Sequence, residues 1–205
     1  MIRPAAPELR LLADDLTGAL DTAAELTALC GPVRVLWDGA ATADPPSGNV
    51  ALDSGTREAA RDAAFARAEA LAPALVGAGI AYKKVDSLLR GHVAAELAAC
   101  LRLEAWRHCV VAPAFPAQGR ITRGGRVLVR QHGGAWSPAG DGDLLAAFAA
   151  EGLPAPPGSP DAPLPPGVAV FDAETEDDLA RVAALGRQAE APPTASPDGR
   201  RPGRS

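Results

Sequence analysis

Lysine is nearly absent from this 205-residue chain, occurring only at Lys83 and Lys84 against eighteen arginines. Cysteine is scarce as well: Cys30, Cys100 and Cys109 are odd in number and lack a C-x-x-C spacing, so neither a disulfide framework nor a zinc site is indicated. Aromatic residues make up 4%, and 25 acidic side chains outnumber 20 basic ones, for a net charge of −5. A nucleic-acid binder needs a basic footprint and usually stacking rings, so that class is excluded. No run approaches the ~20 apolar residues of a membrane span. The first apolar run, Leu9 to Leu12, is short and leads straight to Asp14 and Asp15, so no secretory signal is read and a cytoplasmic location is expected. His92, His108 and His132 stand alone, without a second histidine or cysteine at a ligand spacing, and no metal is assigned.

What is present is enough apolar material, 47% of the chain, for one domain. Short apolar runs alternate with helical patterns, the signature of an α/β fold: an open, mostly parallel sheet flanked by helices in a Rossmann-like three-layer arrangement. Strands are expected at Leu9 to Ala13, Val33 to Trp37, Val50 to Leu52, Ile80 to Val85, Cys109 to Ala112 and Val168 to Phe171. Helices are expected at Gly18 to Leu29, Glu58 to Val76, Leu88 to Leu103, Asp143 to Glu151 and Glu176 to Arg187. Thr17, Ser54 or Thr56, and Ser87 are candidate N-caps, and Thr175 with Asp178 resembles a capping box. Ala155 to Gly167 holds six prolines and reads as a loop. Residues 1–190 are taken as the domain, and 191–205, without apolar periodicity, as a disordered tail.

Carboxylates follow four of these strands: Asp14 and Asp15, Asp53, Asp86 and Asp172. In an open parallel sheet the carboxyl ends of the strands share one edge, where ligands bind. Asp53 and Asp172 are read as caps of the next helix, whereas one cap does not account for both Asp14 and Asp15. The densest functional cluster is Tyr82-Lys83-Lys84-Val85-Asp86-Ser87-Leu88-Leu89-Arg90-Gly91-His92. With Arg90 on the first turn of a helix, its planar donors would add to free backbone amides, a combination suited to a small anion. The alternative is a solvated strand end with Arg90 paired to a nearby Asp. Further on, Gly119 permits a tight turn ahead of Arg120, while Arg123, Arg126 and Arg130 read as solvated residues of an exposed hairpin. Neither a P-loop nor G-x-G-x-x-G occurs between strand and helix. An aspartyl-phosphate phosphatase would lack its nucleophile, because Ala13 stands at that position.

Three motifs in order, Ala13-Asp14-Asp15-Leu16-Thr17-Gly18-Ala19, Lys83-Lys84-Val85-Asp86-Ser87-Leu88-Leu89-Arg90-Gly91 and Pro113-Ala114-Phe115-Pro116-Ala117-Gln118-Gly119-Arg120, resemble the sugar-binding N-terminal domain of the four-carbon acid sugar kinases. Phe171 to Leu179 is similar to the last strand and helix of that domain, so the resemblance covers roughly residues 9 to 188. It implies phosphorylation of a threonate, erythronate or 3-oxo-tetronate type acid, with ATP and Mg held by a second, C-terminal domain. By position, Asp14 and Asp15 would hold sugar hydroxyls and Lys84, Asp86 and Arg90 would surround the acid, with Ser87, Gly119 and Arg120 completing the substrate-binding set. Leu88 and Ile121 stand where the family usually has threonine, and no nucleotide-binding domain or ATP site is visible. The expectation is therefore the substrate-binding half of a kinase, working with a separate nucleotide-binding domain or subunit. The alternatives are an inactive sugar-acid-binding module or remnant, and a stand-alone hydrolase using Asp15 or Asp86 as base.

Overall fold

The computed structural model describes residues 8–190, so the expectation for 191–205 lies outside the described residues. The strands are β1 (Leu9–Ala13), β2 (Arg34–Leu36), β3 (Val50–Asp53), β4 (Ile80–Lys83), β5 (His108–Val111), β6 (Arg120–Arg123), β7 (Arg126–Arg130), β8 (Trp136–Asp143) and β9 (Gly167–Val170). The helices are α1 (Leu16–Cys30), α2 (Arg61–Leu71), α3 (Val93–Leu101), α4 (Leu144–Ala150) and α5 (Glu176–Glu190).

β1 is the centre of a parallel sheet ordered β2-β3-β1-β4. Its side chains alternate, as the two-residue period of a strand requires. Leu9, Leu11 and Ala13 pack with Ala19 and Ala23 of α1, while Leu12 packs with Leu71 of α2 and Cys100 of α3 on the opposite face. A strand covered on both faces reads as a continuous apolar run, and Leu9 to Ala13 shows that run apart from Arg10. β5 and β9 form a second parallel pair. Val168 and Val170 pack towards Leu97 of α3 and Phe148 of α4, and Ala169 and Phe171 towards Val182 and Leu185 of α5. The α/β architecture with helices on both faces is therefore present, but the parallel layer is not one sheet: β4 and β5 do not pair.

All six expected strands and all five expected helices are found, with altered ends. α2 starts at Arg61, too late for Ser54 or Thr56 to cap it, and past Leu71 it tightens into a 3-10 turn at Ala72–Leu75 containing Pro73. Asp15, not Thr17, caps α1 by accepting the Gly18 amide at 3.1 Å. Thr175 and Asp178 bond reciprocally ahead of α5, as the capping-box pattern implies. The proline-rich stretch forms no helix or strand before β9 apart from one bridge between Pro157 and Val170. The expected hairpin over 120–130 gains a third antiparallel strand, β8, from a segment whose Pro138, Gly140 and Gly142 gave no strand signal.

Candidate functional site

Because β1 pairs in parallel with both β3 and β4, the carboxyl ends of the three strands lie side by side. β1 delivers Asp14 and Asp15 to that edge, and β4 delivers Lys84, Asp86, Ser87 and Arg90. From β3 come Asp53 and, four residues on, Arg57. The loop after β3 folds back on β1 through backbone bonds, with the amides of Thr56 and Arg57 both donating to the Asp14 carbonyl. That fold-back places Arg57 at the centre of the carboxylates. Its Nε and Nη2 donate to the two oxygens of Asp14 at 2.8 and 2.7 Å, its Nη2 lies 2.7 Å from Asp15 Oδ1, and its Nη1 lies 3.5 Å from Asp86 Oδ1.

The two adjacent carboxylates are not equivalent. Asp14 is 3% exposed and held in a two-pronged bond. Asp15, its side chain one-quarter exposed, caps α1 and lies 3.5 Å from Lys84 Nζ. Gly18 leaves open the space that Lys84 Nζ and Cε occupy. Lys83 goes to the other side of the strand, where its Nζ meets Glu96 Oε2 at 2.7 Å. Glu96, 1% exposed, also accepts the Thr56 hydroxyl at 2.7 Å. The surviving lysine pair thus divides between one structural and one edge-facing cation.

Arg90 is not on a helix. The Asp86 carboxylate accepts the amides of Leu88 and Arg90, Leu89 takes a left-handed φ of 59°, and α3 starts only at Val93. A short carboxylate that bonds nearby amides competes with helix formation, so Ser87 caps nothing and the expected helix-terminus contribution to anion binding is absent. Instead Arg90 turns back on Asp86, with Nε to Oδ2 at 3.0 Å and Nη2 to Oδ1 at 2.8 Å. Burial alone would raise the Asp86 pKa, but the bonds from Arg90 and Leu88 and the nearby Arg57 charge bring it down to about 2. Asp53 behaves in the opposite sense: burial raises its pKa against the bond from Gly55, with Asp15, Asp14 and Asp38 adding to the rise. Asp53 and Asp172 do not cap helices; they accept loop amides, of Gly55 and of Gly124 and Gly125.

Arg120 reaches the same edge from β6. Gly119, at φ 64°, ends the turn Pro116–Gln118 in the left-handed region and sends the chain into β6. Arg120 Nη1 then donates to Ser87 Oγ at 2.6 Å, while its buried Nε has no partner. Among the described residues no carboxylate lies within ion-pair distance of Arg120. Arg123 and Arg126, by contrast, pair with Glu174 and Asp143 on the exposed side. The structure therefore links Asp14, Asp15, Lys84, Asp86 and Arg90 through Arg57, while Ser87, next to Asp86 in the chain, bonds Arg120 as a separate pair, to which Gly119 contributes only backbone.

Arg57 is the residue that the sequence reading passes over. Its signal is there in retrospect: Asp53 and Arg57 repeat the spacing of Asp86 and Arg90, each an arginine four residues beyond a strand-end aspartate. Cysteine chemistry has no place here, since burial pushes the Cys100 thiol to about 11 and Cys109 to about 12.

A model of the sugar-binding N-terminal domain matches residues 9–147. The chain belongs to the four-carbon acid sugar kinase family. The chain is 37% identical over 209 residues to a D-threonate kinase of Cupriavidus necator, covering 89% of the chain and 50% of that protein. To a D-erythronate kinase of Heliobacterium modesticaldum it is 35% identical over 134 residues, covering 58% of the chain and 28% of that protein. It spans half or less of the length of the curated relatives it matches. Among solved structures it is similar to a DUF1537 protein of Bordetella bronchiseptica, described as a domain-swapped dimer with bound citrate. The TM-score there is 0.68 at 27% identity, over 89% of this chain and 51% of that one.

Among the described residues few groups are free for a nucleotide's phosphates. Arg57, Arg90 and Lys83 are spent on carboxylates, and the paired glycine amides at 124 and 125 already bind Asp172. Among the described residues no three metal-ligating side chains cluster, and no helix is long and apolar enough to cross a membrane.

Proposed function

We propose that this chain binds a four-carbon sugar acid of the threonate, erythronate or 3-oxo-tetronate type as the substrate half of an ATP-dependent kinase. A separate nucleotide-binding domain or subunit would supply ATP and Mg. The observation that carries the reading is the cation left over at the edge: Arg120 has a buried, unpartnered Nε and no carboxylate partner among the described residues. A buried donor without an acceptor is costly, and a ligand carboxylate removes that cost. Lys84 adds a second positive charge, and Asp15 offers a part-exposed acceptor for sugar hydroxyls. Asp14 and Asp86 support these groups through Arg57 and Arg90 instead of meeting the ligand themselves.

Titration calorimetry with D-threonate and D-erythronate tests the reading, alongside a coupled assay for ADP. Binding without ADP formation is expected, and the same result with an added nucleotide-binding partner would favour the inactive module. Failure to bind either acid overturns the substrate class, and ADP formation by the pure chain overturns the need for a partner. One charge-assisted hydrogen bond is worth about 1.5–3 kcal/mol, so Arg120→Gln should weaken binding at least about tenfold. Arg123→Gln should leave it unchanged.

A further inference from the structure

The loop from Ser54 to Ala60 joins β3 to α2 and carries Arg57, yet it does not lie wholly on the surface. Thr56 is 3% exposed, and a segment without regular structure is buried only where its polar groups find partners. The partner of Thr56 is on α3. Its hydroxyl donates to Glu96 Oε1 at 2.7 Å, and Glu96 is itself 1% exposed. The other oxygen, Glu96 Oε2, meets Lys83 Nζ at 2.7 Å, and Lys83 also donates to the Lys84 carbonyl at 3.1 Å. A hydroxyl has one proton, so with that of Thr56 committed to the carboxylate, its oxygen is left as an acceptor facing the Ser54 hydroxyl at 2.8 Å. Ser54 Oγ in turn reaches the Ala13 carbonyl at 2.9 Å. One chain of polar groups therefore runs from β4 through α3 and the loop to the end of β1.

It ends beside Arg57. The amides of Thr56 and Arg57 donate to the Asp14 carbonyl at 2.9 and 3.1 Å, and from there the guanidinium reaches Asp14, Asp15 and Asp86. Asp14 and Asp15 follow β1 and Asp86 follows β4, whereas the backbone of Arg57 is placed by its own loop. The His92 ring, with Nε2 2.7 Å from the Ala59 carbonyl, ties the far end of that loop to the start of α3. Two methionines in place of Lys83 and Glu96 would fill the volume without taking two charges out of water, so stability alone does not account for the pair. What apolar side chains cannot supply is a buried acceptor for a hydroxyl. We infer that Glu96 and Thr56 are positioning residues. The buried pair of Lys83 and Glu96 fixes the Thr56 hydroxyl, Thr56 fixes the loop, and the loop sets Arg57 among the carboxylates, so that Asp15 keeps the orientation in which it accepts a sugar hydroxyl. Only that last step rests on the proposed binding of a sugar acid.

The test uses the full chain and the Nε–H resonance of Arg57, assigned by its loss in Arg57→Lys. Enclosed and bonded to Asp14, that proton should exchange slowly with water in the parent. Thr56→Val keeps the branched shape and removes the hydroxyl. It should speed the exchange by about tenfold or more beyond any change in the β1 amides of Leu11 and Leu12, which report opening of the whole sheet. Affinity for D-threonate, by calorimetry, should fall about fivefold or more. Thr56→Ser returns a hydroxyl to the site and should restore both. The double variant Lys83→Met with Glu96→Met keeps Thr56 but removes its acceptor, and should release Arg57 in the same way even where Thr56→Val fails to fold.

Arg57 exchange that rises only in step with the β1 amides would make the pair a packing element, and overturns the proposal. So does slow Arg57 exchange in either variant, or a Thr56→Ser chain that behaves like Thr56→Val. Selective release of Arg57 with unchanged D-threonate affinity overturns the link from the loop to the ligand. A parent that binds no D-threonate counts against the sugar-acid proposal instead, and the exchange of Arg57, which needs no ligand, still decides whether Glu96 and Thr56 position it.

Discussion

At the scale of single residues, Asp14 and Asp15 show how burial divides two identical side chains. Asp14 is enclosed and bonded twice to Arg57, whereas Asp15 is part-exposed and caps a helix. Asp14→Asn should cost about 1.5–3 kcal/mol of stability, because a charge-assisted bond to a buried guanidinium is lost. Asp15→Asn should lower the melting temperature less, since Asn caps helices as well as Asp does and the part-exposed contacts of Asp15 with Arg57 and Lys84 are weakened by solvent. Its effect belongs in the affinity for D-threonate, and a thermal melt with a ligand titration on both variants separates the two roles. The larger affinity loss at Asp14 would reverse the assignment. The strand-end carboxylates and lysines were legible in the sequence because a parallel sheet puts every strand's carboxyl end on one edge. The partners were not. Whether Arg90 faces a ligand or Asp86, and whether Lys83 is free or bound to Glu96, depends on loop conformations that periodicity does not encode.

The element that departs most from expectation is the link from β4 to α3. Apolar periodicity from Leu88 onward suggested one long helix, yet the Asp86 carboxylate captures two amides and holds the segment as a turn. Gly91 is part of that turn, at φ 80°, with the Asp14 carboxylate only 2.9 Å from where a Cβ would stand. Gly91→Ala should therefore destabilise by about 1–2 kcal/mol for the left-handed backbone alone, and more as the Asp14 to Arg57 bond is displaced. A drop in melting temperature accompanied by weaker D-threonate binding is the expected pair of results; a drop in neither would mean that the turn is not held as described. β8 escaped notice for a different reason. Proline and glycine lower strand propensity in isolation, and an edge strand beside a hairpin tolerates them.

Across the whole molecule, acid should act through the edge cluster. The folded Asp86 pKa, about 2, lies below its unfolded value near 3.9, so the group contributes stability above pH 4 that is lost as pH falls through the folded value. The contribution is about 2 kcal/mol at neutral pH. Asp86→Asn should accordingly flatten the decline in unfolding free energy between about pH 4 and pH 2, measured by urea denaturation at each pH. The class of fold was readable from alternating strand and helix patterns, but the split of the parallel layer was not, because apolar strands read alike whether or not a neighbour pairs with them. The buried bond between Lys83 and Glu96 also ties β4 to α3 in time. Neither charge gains by leaving water before the other, so strand and helix must enter the interior in one event, with both ions shedding their hydration together. Replacing both with methionine removes that step, and the double variant should refold faster in stopped-flow experiments, whereas Lys83→Met alone should leave Glu96 stranded and unfold the chain more readily.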